Sequence, residues 1–416
     1  LLAEGTESKP IIFTSVLDDR FGAGGTFDTN NDRTATSQGA TPARGNWSGI
    51  YASPGANISL DNSVVAFGGG VSLLEGGQSR GFAALELQQA TARVTNSRFE
   101  NNADGQLGAG PVGRNGRLNV APSTIFARFT QPVIVGNTFV DNRGSIIDID
   151  SDSFGDNLNV DLGRQTGLIE RLSDLDDNHG PLVRRNVTDS VASDAGGSVQ
   201  LNGMEVRGGI LSTGSVWDDT DIVHMLFDSI VVGNLISNSG LRLKSRPDES
   251  LVIKLSGGGN PNSPTAGTGF TATGSPSSIT DRIGGTIQVL GLPGAPVILT
   301  SIHDDSVGAG RRIDGTQQTD TNGNSISTRP STNDWRSLYF DEFSNDRNVA
   351  VILEQELSTA IAPGLNGTVD NAQYLGQLAE RVTASDEVLR LGFEVQGFLS
   401  APNDIDVYSF EGTAGT

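Results

Sequence analysis

Two acidic loops hold the residues whose types and spacing are best suited to binding chemistry. In each loop the first, third and fifth residues carry side-chain oxygens: Asp28, Asn30 and Asp32 in the first loop, and Asp320, Asn322 and Asn324 in the second. Ca²⁺ prefers carboxylate and amide oxygens presented in this alternation. The sequence therefore predicts calcium in both loops, and more strongly in the first, which has one carboxylate more. The competing interpretation is that these residues only build Asx-turns in solvent.

A pair of adjacent aspartates precedes each loop at an equivalent position, Asp18-Asp19 before the first and Asp304-Asp305 before the second. Both pairs are candidate ligands, because a hard cation would offset the repulsion between carboxylates packed together. Neither loop continues into the glycine and distal glutamate of an EF-hand, so that motif is not implied.

Three further clusters contain several carboxylates: Asp148–Asp152, Asp174–Asp177 with His179, and Trp217–Asp221 with His224. The last combines an aromatic ring, carboxylates and an imidazole. Paired carboxylates at a suitable separation hydrolyse glycosides, but a solvated turn is the more ordinary interpretation. The chain has only 3 His residues and no evident Gly-x-Ser-x-Gly elbow, which argues against a nucleophilic triad. We therefore assign no catalytic residue.

The acidic loops belong to a longer internal repeat. Pro10–Gly24 matches Pro296–Gly310 at a constant offset of 286 residues. Gly45–Leu60 corresponds in the same way to Asn333–Leu353. The repeat defines two related cassettes, residues 10–60 and 296–353. Each reads as a strand, an Asp-Asp turn, a long polar excursion and a strand that carries a tryptophan. Trp47 and Trp335 are equivalent, and we expect them to cover a flank of the strands rather than to stack on a sugar.

The composition limits the possible partners. The chain has 416 residues, 54 of them Gly, and a net charge of −21. Such an acidic chain is unsuited to nucleic acid or anionic lipid, and no apolar run reaches the roughly 18 residues of a membrane helix. With 0 Cys, disulfides and thiolate metal sites are excluded. Abundant turn residues between short β-branched runs predict an all-β protein.

Three segments share the pattern apolar-x-x-Asn-x-apolar-x-x-Asn: Val94–Asn102, Val133–Asn142 and Ile230–Asn238. Asn137 follows Asn96 by 41 residues, and Asn234 follows Asn137 by 97. Asparagine suits a bend between two strands because it tolerates left-handed backbone angles and hydrogen-bonds locally. We expect stacked asparagines to line these bends.

This pattern resembles that of bacterial extracellular right-handed parallel β-helix repeat proteins. The resemblance implies a solenoid with long loop insertions over residues 1–363; the alternative is an ordinary β-sandwich. Residues 364–416 resemble the start of the small β-sandwich called the pre-peptidase C-terminal domain, through Asp404, Asp406, Tyr408 and Phe410. That likeness implies an extracellular or cell-surface bacterial setting. We expect a chain truncated at both ends, and a short helix over Asp370–Val382.

These observations favour a structural or adhesive segment that is stabilised by calcium and either self-associates or binds a surface polysaccharide. The alternative is a carbohydrate-active β-helix, similar to a polysaccharide lyase or a glycoside hydrolase, although no Arg stands in a motif of such enzymes. A groove lined by Arg and carboxylates would favour that alternative. A protease accessory region is a third hypothesis, suggested only by the tail.

Overall fold

The computed structural model describes most of the chain. The described residues are 1–32, 41–73, 79–108, 120–169, 171–172, 179–189, 199–233, 240–258, 266–275, 284–325, 327–344, 348–354, 366–377, 390–396 and 404–412. Two features singled out from the sequence, the Asp174–Asp177 cluster and Asn234, lie outside these ranges.

The described chain is all-β, as its composition predicts, with two 3₁₀ turns at Ser151–Ser153 and Val369–Asn371. Its first strands are β1 (Leu2–Glu4), β2 (Ile11–Phe13), β3 (Ile50–Ala52), β4 (Asn57–Asp61), β5 (Ser63–Ala66), β6 (Val71–Ser72), β7 (Arg80–Gly81), β8 (Leu85–Gln88), β9 (Thr91–Thr95), β10 (Arg98–Glu100), β11 (Ser123–Arg128), β12 (Val133–Val135), β13 (Thr138–Val140), β14 (Gly144–Asp150), β15 (Leu182–Arg184) and β16 (Val187–Asp189). The remainder are β17 (Gln200–Arg207), β18 (Gly209–Leu211), β19 (Ser215–Trp217), β20 (His224–Leu226), β21 (Ile230–Val232), β22 (Gly240–Lys244), β23 (Val252–Leu255), β24 (Gly269–Ala272), β25 (Thr286–Leu290), β26 (Ile298–Ser301), β27 (Ser337–Phe340), β28 (Asn348–Leu353), β29 (Gln373–Gln377), β30 (Arg390–Gln396) and β31 (Tyr408–Glu411).

Successive strands join different sheets in rotation. Within the described ranges, the first sheet has the order β1-β4-β9-β12-β15, the second β2-β5-β10-β13-β16, and the third β3-β8-β11-β14-β17-β20-β23-β26. A fourth sheet (β18-β21-β24-β27) and a fifth (β19-β22-β25) alternate with the third in the later part of the chain. Strands in these five sheets pair in parallel, which an ordinary antiparallel sandwich does not do. The prediction of an all-β chain is confirmed, and these five sheets are parallel; the small β6-β7 sheet is antiparallel.

Parallel register places like side chains above one another. Leu60, Val94, Ile134 and Val183 occupy matched positions on four adjacent strands of the first sheet, and all four are fully buried. In the second sheet, Phe99 pairs with Phe139, and their rings stack at 5.2 Å. Burial of such apolar columns is the main favourable contribution to this fold.

Amide side chains are stacked at the bends, as expected. Asn137 donates its amide to Asn186 Oδ1 at 3.0 Å, and Asn102 donates to Asn142 Oδ1 at 2.8 Å. Asn142 continues the second column by donating to Gln200 Oε1 at 3.1 Å. These buried amides satisfy one another along the stack.

The alignment of Asn96 with Asn137, however, is wrong by one residue. Phe99 pairs with Phe139, so the true offset is 40 residues and Asn96 lies opposite Gly136. Asn96 and Gly136 take the left-handed angles, with φ of 48° and 71°. The residue that follows each of them carries the buried side chain. The bend thus needs two adjacent residues: the first takes left-handed backbone angles and the second buries its side chain. The sequence pattern assigned both roles to a single asparagine.

The two cassettes supply outer strands of the described sheets. Among the described strands, β2 and β3 of the first cassette are outermost in the second and third sheets, and β1, which precedes this cassette, is outermost in the first sheet. In the second cassette, β26 and β27 are outermost in the third and fourth sheets, and β25, which precedes it, is outermost in the fifth. β3 and β26 therefore lie at opposite edges of the third sheet, and the cassettes are separated by the width of that sheet.

The tail pairs with the cassette that precedes it. β28, at the end of the second cassette, pairs in parallel with β30, and β29 pairs in parallel with β31. The helix expected over Asp370–Val382 is wrong for Gln373–Gln377, which is a strand; Asp370 and Asn371 belong to the 3₁₀ turn before it. In the described chain, no helix is long and apolar enough to cross a membrane.

Candidate functional site

The two cassettes build the same hydrogen-bonded frame around their Asp-Asp turns. Thr14 Oγ1 donates to Asp18 Oδ2 at 2.5 Å, and Thr300 Oγ1 donates to Asp304 Oδ2 at 2.6 Å. Ser15 and Ser301 each accept the backbone N–H two residues on, at 3.1 Å in both copies. The sequence repeat is therefore a repeat of detailed geometry.

The first aspartate of each pair, Asp18 or Asp304, accepts hydrogen bonds from side chains of its own cassette. Asp18 is buried, and Arg20 Nε lies 2.8 Å from its Oδ1. Burial opposes ionisation of Asp18, but the hydrogen bonds from Arg20 and Thr14 outweigh it and hold its pKa below the ordinary value. For Asp304, burial is likewise the largest single effect and raises the pKa, but the hydrogen bonds from Ser306 and Thr300, which stand in place of an arginine, together hold the pKa below the ordinary value. Both carboxylates are thus held by side chains of their own cassette.

Both acidic loops fold into Asx-type turns, as the competing interpretation predicts. The fifth residue of each loop donates its backbone N–H to the side-chain oxygens of the first and third: Asp32 to Asp28 Oδ1 (3.0 Å) and Asn30 Oδ1 (3.2 Å), and Asn324 to Asp320 Oδ1 (3.1 Å) and Asn322 Oδ1 (3.3 Å). A carboxylate offers about four acceptor sites, so an Asx bond is compatible with a metal bond.

The first loop brings three carboxylates together. Oxygens of Asp19, Asp28 and Asp32 all lie within 4.8 Å of one another. Burial, followed by the charges of Asp32, Asp28 and Asp18, raises the pKa of Asp19. Asp19 Oδ1 is out of contact with solvent and has no hydrogen-bond partner among the described residues. The structure thus places Asp19, rather than Asp18, with the loop.

Asn30 forms two hydrogen bonds with Asp32. Its Nδ2 donates to Asp32 Oδ2 at 2.6 Å, while its Oδ1 accepts the Asp32 N–H. Asn30 therefore orients Asp32. Both of its polar atoms are engaged by that residue.

The second loop gathers its acidic groups less closely. The described residues hold no second group of three carboxylates as compact as the first. Asp305 Oδ2 accepts both the N–H and the hydroxyl of Thr328, at 2.5 and 2.8 Å. Asp320 accepts the N–H groups of Asn324 and Ser325. Oδ1 of Asp305, by contrast, is buried without a hydrogen-bond partner among the described residues.

An open cleft of about 760 Å³ lies beside the second cassette. Charged side chains from several segments line it: Arg184, Arg185, Arg311, Asp221, Asp248 and Glu249. Arg184 Nη2 contacts Glu249 Oε2 at 3.0 Å, and Thr220 Oγ1 donates to the same oxygen at 2.8 Å. Because the segments are far apart in sequence, no local motif could reveal this cleft.

Asp221 is the most perturbed acid in the cleft. Its Oδ2 accepts the Arg185 N–H at 2.6 Å, and its buried Oδ1 has no hydrogen-bond partner in the described chain. Burial raises the pKa of Asp221 to about 6, against the hydrogen bond from Arg185 and the charge of Arg184. A group with a pKa near neutrality in a cleft can exchange a proton with a ligand.

The rest of the Trp217–Asp221 cluster is structural, and the expectation of a solvated turn is wrong. Trp217 and His224 are fully buried, and their rings stack at 5.4 Å. Burial lowers the pKa of His224 to about 3, so this imidazole is neutral. Asp218 Oδ2 lies 2.5 Å from His179 Nδ1, and Asp219 Oδ1 accepts the Val183 N–H. These acids hold neighbouring strands together.

The remaining predicted elements also have packing roles. Trp47 packs against the core and donates Nε1 to the Ala66 carbonyl at 2.8 Å, while Trp335 packs against the same core. Asp148 is buried and forms an ion pair with Arg207. Both tryptophans therefore cover a flank of the strands, as expected.

The fold and its sites define a class of protein, an acidic all-β chain of parallel sheets with a duplicated acidic cassette. No family model matches the chain, and no curated protein or solved structure matches it either.

Proposed function

We propose that this chain is a right-handed parallel β-helix that serves as a rigid structural or adhesive segment of a large bacterial surface protein. The observation that carries the proposal is the rotation of successive strands through three parallel sheets, with buried amides stacked at the bends. Each added round of strands satisfies the backbone of the previous one and lengthens the apolar column. An extended, acidic, rigid element is suited to spacing other domains or to self-association.

The extracellular or cell-surface setting is supported by the likeness of the tail to a domain appended to secreted proteins. The residues that carry the likeness include Tyr408, whose hydroxyl donates to Glu354 Oε1 at 2.7 Å. β31, which begins at Tyr408, pairs with β29. Limited proteolysis of the full protein on intact cells tests this setting, because a surface segment is cleaved while the cells remain sealed.

Calcium fits the first cassette better than the second. Asp19, Asp28 and Asp32 supply three converging carboxylates, and the partnerless Oδ1 of Asp19 requires a positive group. A hard divalent cation bound by these oxygens would relieve their mutual repulsion. In the second cassette the fifth loop residue is Asn324 rather than an acid, and Thr328 donates to Oδ2 of Asp305. Oδ1 of Asp305 is buried without a hydrogen-bond partner among the described residues, as Oδ1 of Asp19 is, so the difference between the cassettes lies in the number of converging carboxylates. We therefore propose one calcium ion, at the first cassette.

Thermal melting with calcium and with a chelator tests this site. At a free concentration of 100 times the dissociation constant, a ligand stabilises the folded state by about 2.7 kcal/mol, so the melting temperature rises with calcium. Asp28→Ala abolishes the rise, whereas Asp320→Ala preserves it. Asp314→Ala, which removes an exposed carboxylate of the second cassette, is the matched control. An identical melting temperature in chelator and in calcium refutes the metal site.

A second candidate function, binding of an acidic polysaccharide, is favoured by the cleft. Its Arg and carboxylate lining is the feature that separates a carbohydrate-binding β-helix from a purely structural one. Arg185 and Arg311 are exposed and suited to a uronate carboxylate, while carboxylates such as Asp221 accept sugar hydroxyls.

Calorimetric titration with oligouronates tests this candidate. Binding that is lost in Arg185→Ala/Arg311→Ala and kept in the exposed control Arg329→Ala assigns the cleft as the site. The structural proposal predicts no release of unsaturated ends from a polyuronate. Steady release would make the chain a lyase and overturn that proposal.

A further inference from the structure

Lys254 is a fully buried lysine that the proposed function leaves unexplained. It lies on β23 between Ile253 and Leu255, which face the main core. Strand alternation therefore directs Lys254 to the opposite face of the third sheet, toward the second cassette. Its Nζ donates to the Thr319 carbonyl at 3.1 Å, immediately before the acidic loop begins at Asp320. A buried ammonium group requires compensating negative charge.

The second cassette supplies that negative charge. Asp305, Asp304 and Asp320 all favour the charged form of Lys254. Burial is the larger effect and lowers the pKa of Lys254 to about 8, so the side chain remains mostly an ammonium ion at neutral pH. One fixed positive charge therefore acts on three carboxylates beneath this loop.

The first cassette has no such lysine, and the strand register shows what replaces it. In the first cassette Phe13 pairs with Val65, and in the second the equivalent Leu299 pairs with Ile253. The residue after Val65 is Ala66, and the residue after Ile253 is Lys254. Two cassettes with the same frame thus differ by a buried alanine and a buried lysine at one matched position.

A second difference acts in the same direction. The fifth loop residue is Asp32 in the first cassette and Asn324 in the second, so the cassette that gained a positive charge also lost a negative one. Both changes reduce the negative charge that an added cation would offset. The first cassette has its own positive side chain, Arg20, where the second has Ser306, but Arg20 pairs with Asp18 and Glu100, outside the group of Asp19, Asp28 and Asp32. The compact group of three carboxylates occurs where the lysine is absent.

We propose that Lys254 is the resident cation of the second cassette, in the role that a divalent metal ion has in the first, and that it excludes metal from the second. The comparison with the first cassette rests on the proposed calcium site, whereas the pairing of Lys254 with its carboxylates does not. Replacing Lys254 with a neutral residue while restoring the third acid converts the second cassette into a metal site.

Calcium stoichiometry of the full chain, measured by calorimetry, tests the exclusion of metal. Wild-type protein and Asn324→Asp each bind one ion, whereas Lys254→Met/Asn324→Asp binds two. Adding Asp320→Asn to the double variant returns the count to one. Lys254→Arg/Asn324→Asp, which keeps the charge, also binds one. A second ion in Asn324→Asp alone, or none gained in the double variant, overturns the proposal.

A double-mutant cycle in chelator tests the charge pairing without any metal, so it holds even if the first cassette binds no calcium. Asp305→Asn lowers the melting temperature more in wild type than in Lys254→Met, because only wild type keeps the ammonium group that is attracted to this half-buried carboxylate. The single and double variants therefore show a coupling that does not depend on whether Lys254→Met is itself stabilising or destabilising. Lys244→Met, on the neighbouring strand β22, is the matched control. Additive effects of the two substitutions would refute the pairing.

Discussion

Replacing Asp221 with asparagine should stabilise the protein at neutral pH. Its folded-state pKa is about 6, against an ordinary value of 3.8, chiefly because the carboxyl is buried. The folded state therefore holds a proton between these two pH values that the unfolded state has lost. Stability from this group is complete below pH 3.8 and is lost as the pH rises through 6.

The magnitude follows from the shift. A difference of about 2 pKa units corresponds to about 3 kcal/mol, which is the cost of ionising Asp221 in the folded protein at pH 7.5. Asparagine resembles the protonated carboxyl and retains an oxygen that can accept the Arg185 N–H. Asp221→Asn should therefore raise the free energy of unfolding by up to about 3 kcal/mol at pH 7.5 and leave it unchanged near pH 4.

Melting curves of wild type and Asp221→Asn between pH 4 and pH 8 provide the assay. At about 2 °C for each kcal/mol, the two melting temperatures should coincide at the acidic end and differ by about 6 °C at the alkaline end. Asp248→Asn is the control, because the Asp248 side chain is 65% exposed. If Asp221→Asn follows wild type at every pH, the carboxyl is not held in an environment that penalises its charge.

Three other perturbations probe the stack and its first cassette. Asn137→Ala should cost about 3 kcal/mol, because it removes the acceptor of the Ser97 N–H and the donor to the Val94 carbonyl inside the core; denaturant titration against the exposed control Asn157→Ala measures this. Arg207→Met should cost about 3–5 kcal/mol by leaving Asp148 buried and uncompensated, and Arg207→Met/Asp148→Asn should recover most of it in the same assay. Chelator should speed hydrogen exchange of backbone amides in β2 and not in β26, as followed by mass spectrometry; equal acceleration in both would contradict the assignment of calcium to the first cassette.

Much of the strand architecture was predictable because it depends on local chemistry. Turn residues and β-branched runs predicted an all-β chain, and the offset of 286 residues predicted two cassettes that share one geometry. The bends were harder to predict. Asn96 and Asn137 look alike in sequence, but one has left-handed backbone angles and the other fills a buried position. A single-residue shift of this kind is invisible without the strand register.

The candidate sites show the same limit. The spacing of Asp28 and Asp32 correctly marked a carboxylate cluster, since both belong to one short loop. Asp18 and Asp19 are neighbours in sequence, yet Asp18 forms an ion pair with Arg20 while Asp19 lies with the carboxylates of the loop. Lys254 carries no signal in its own strand. Its importance arises only where the second cassette crosses β23, a contact between segments about 50 residues apart in the chain.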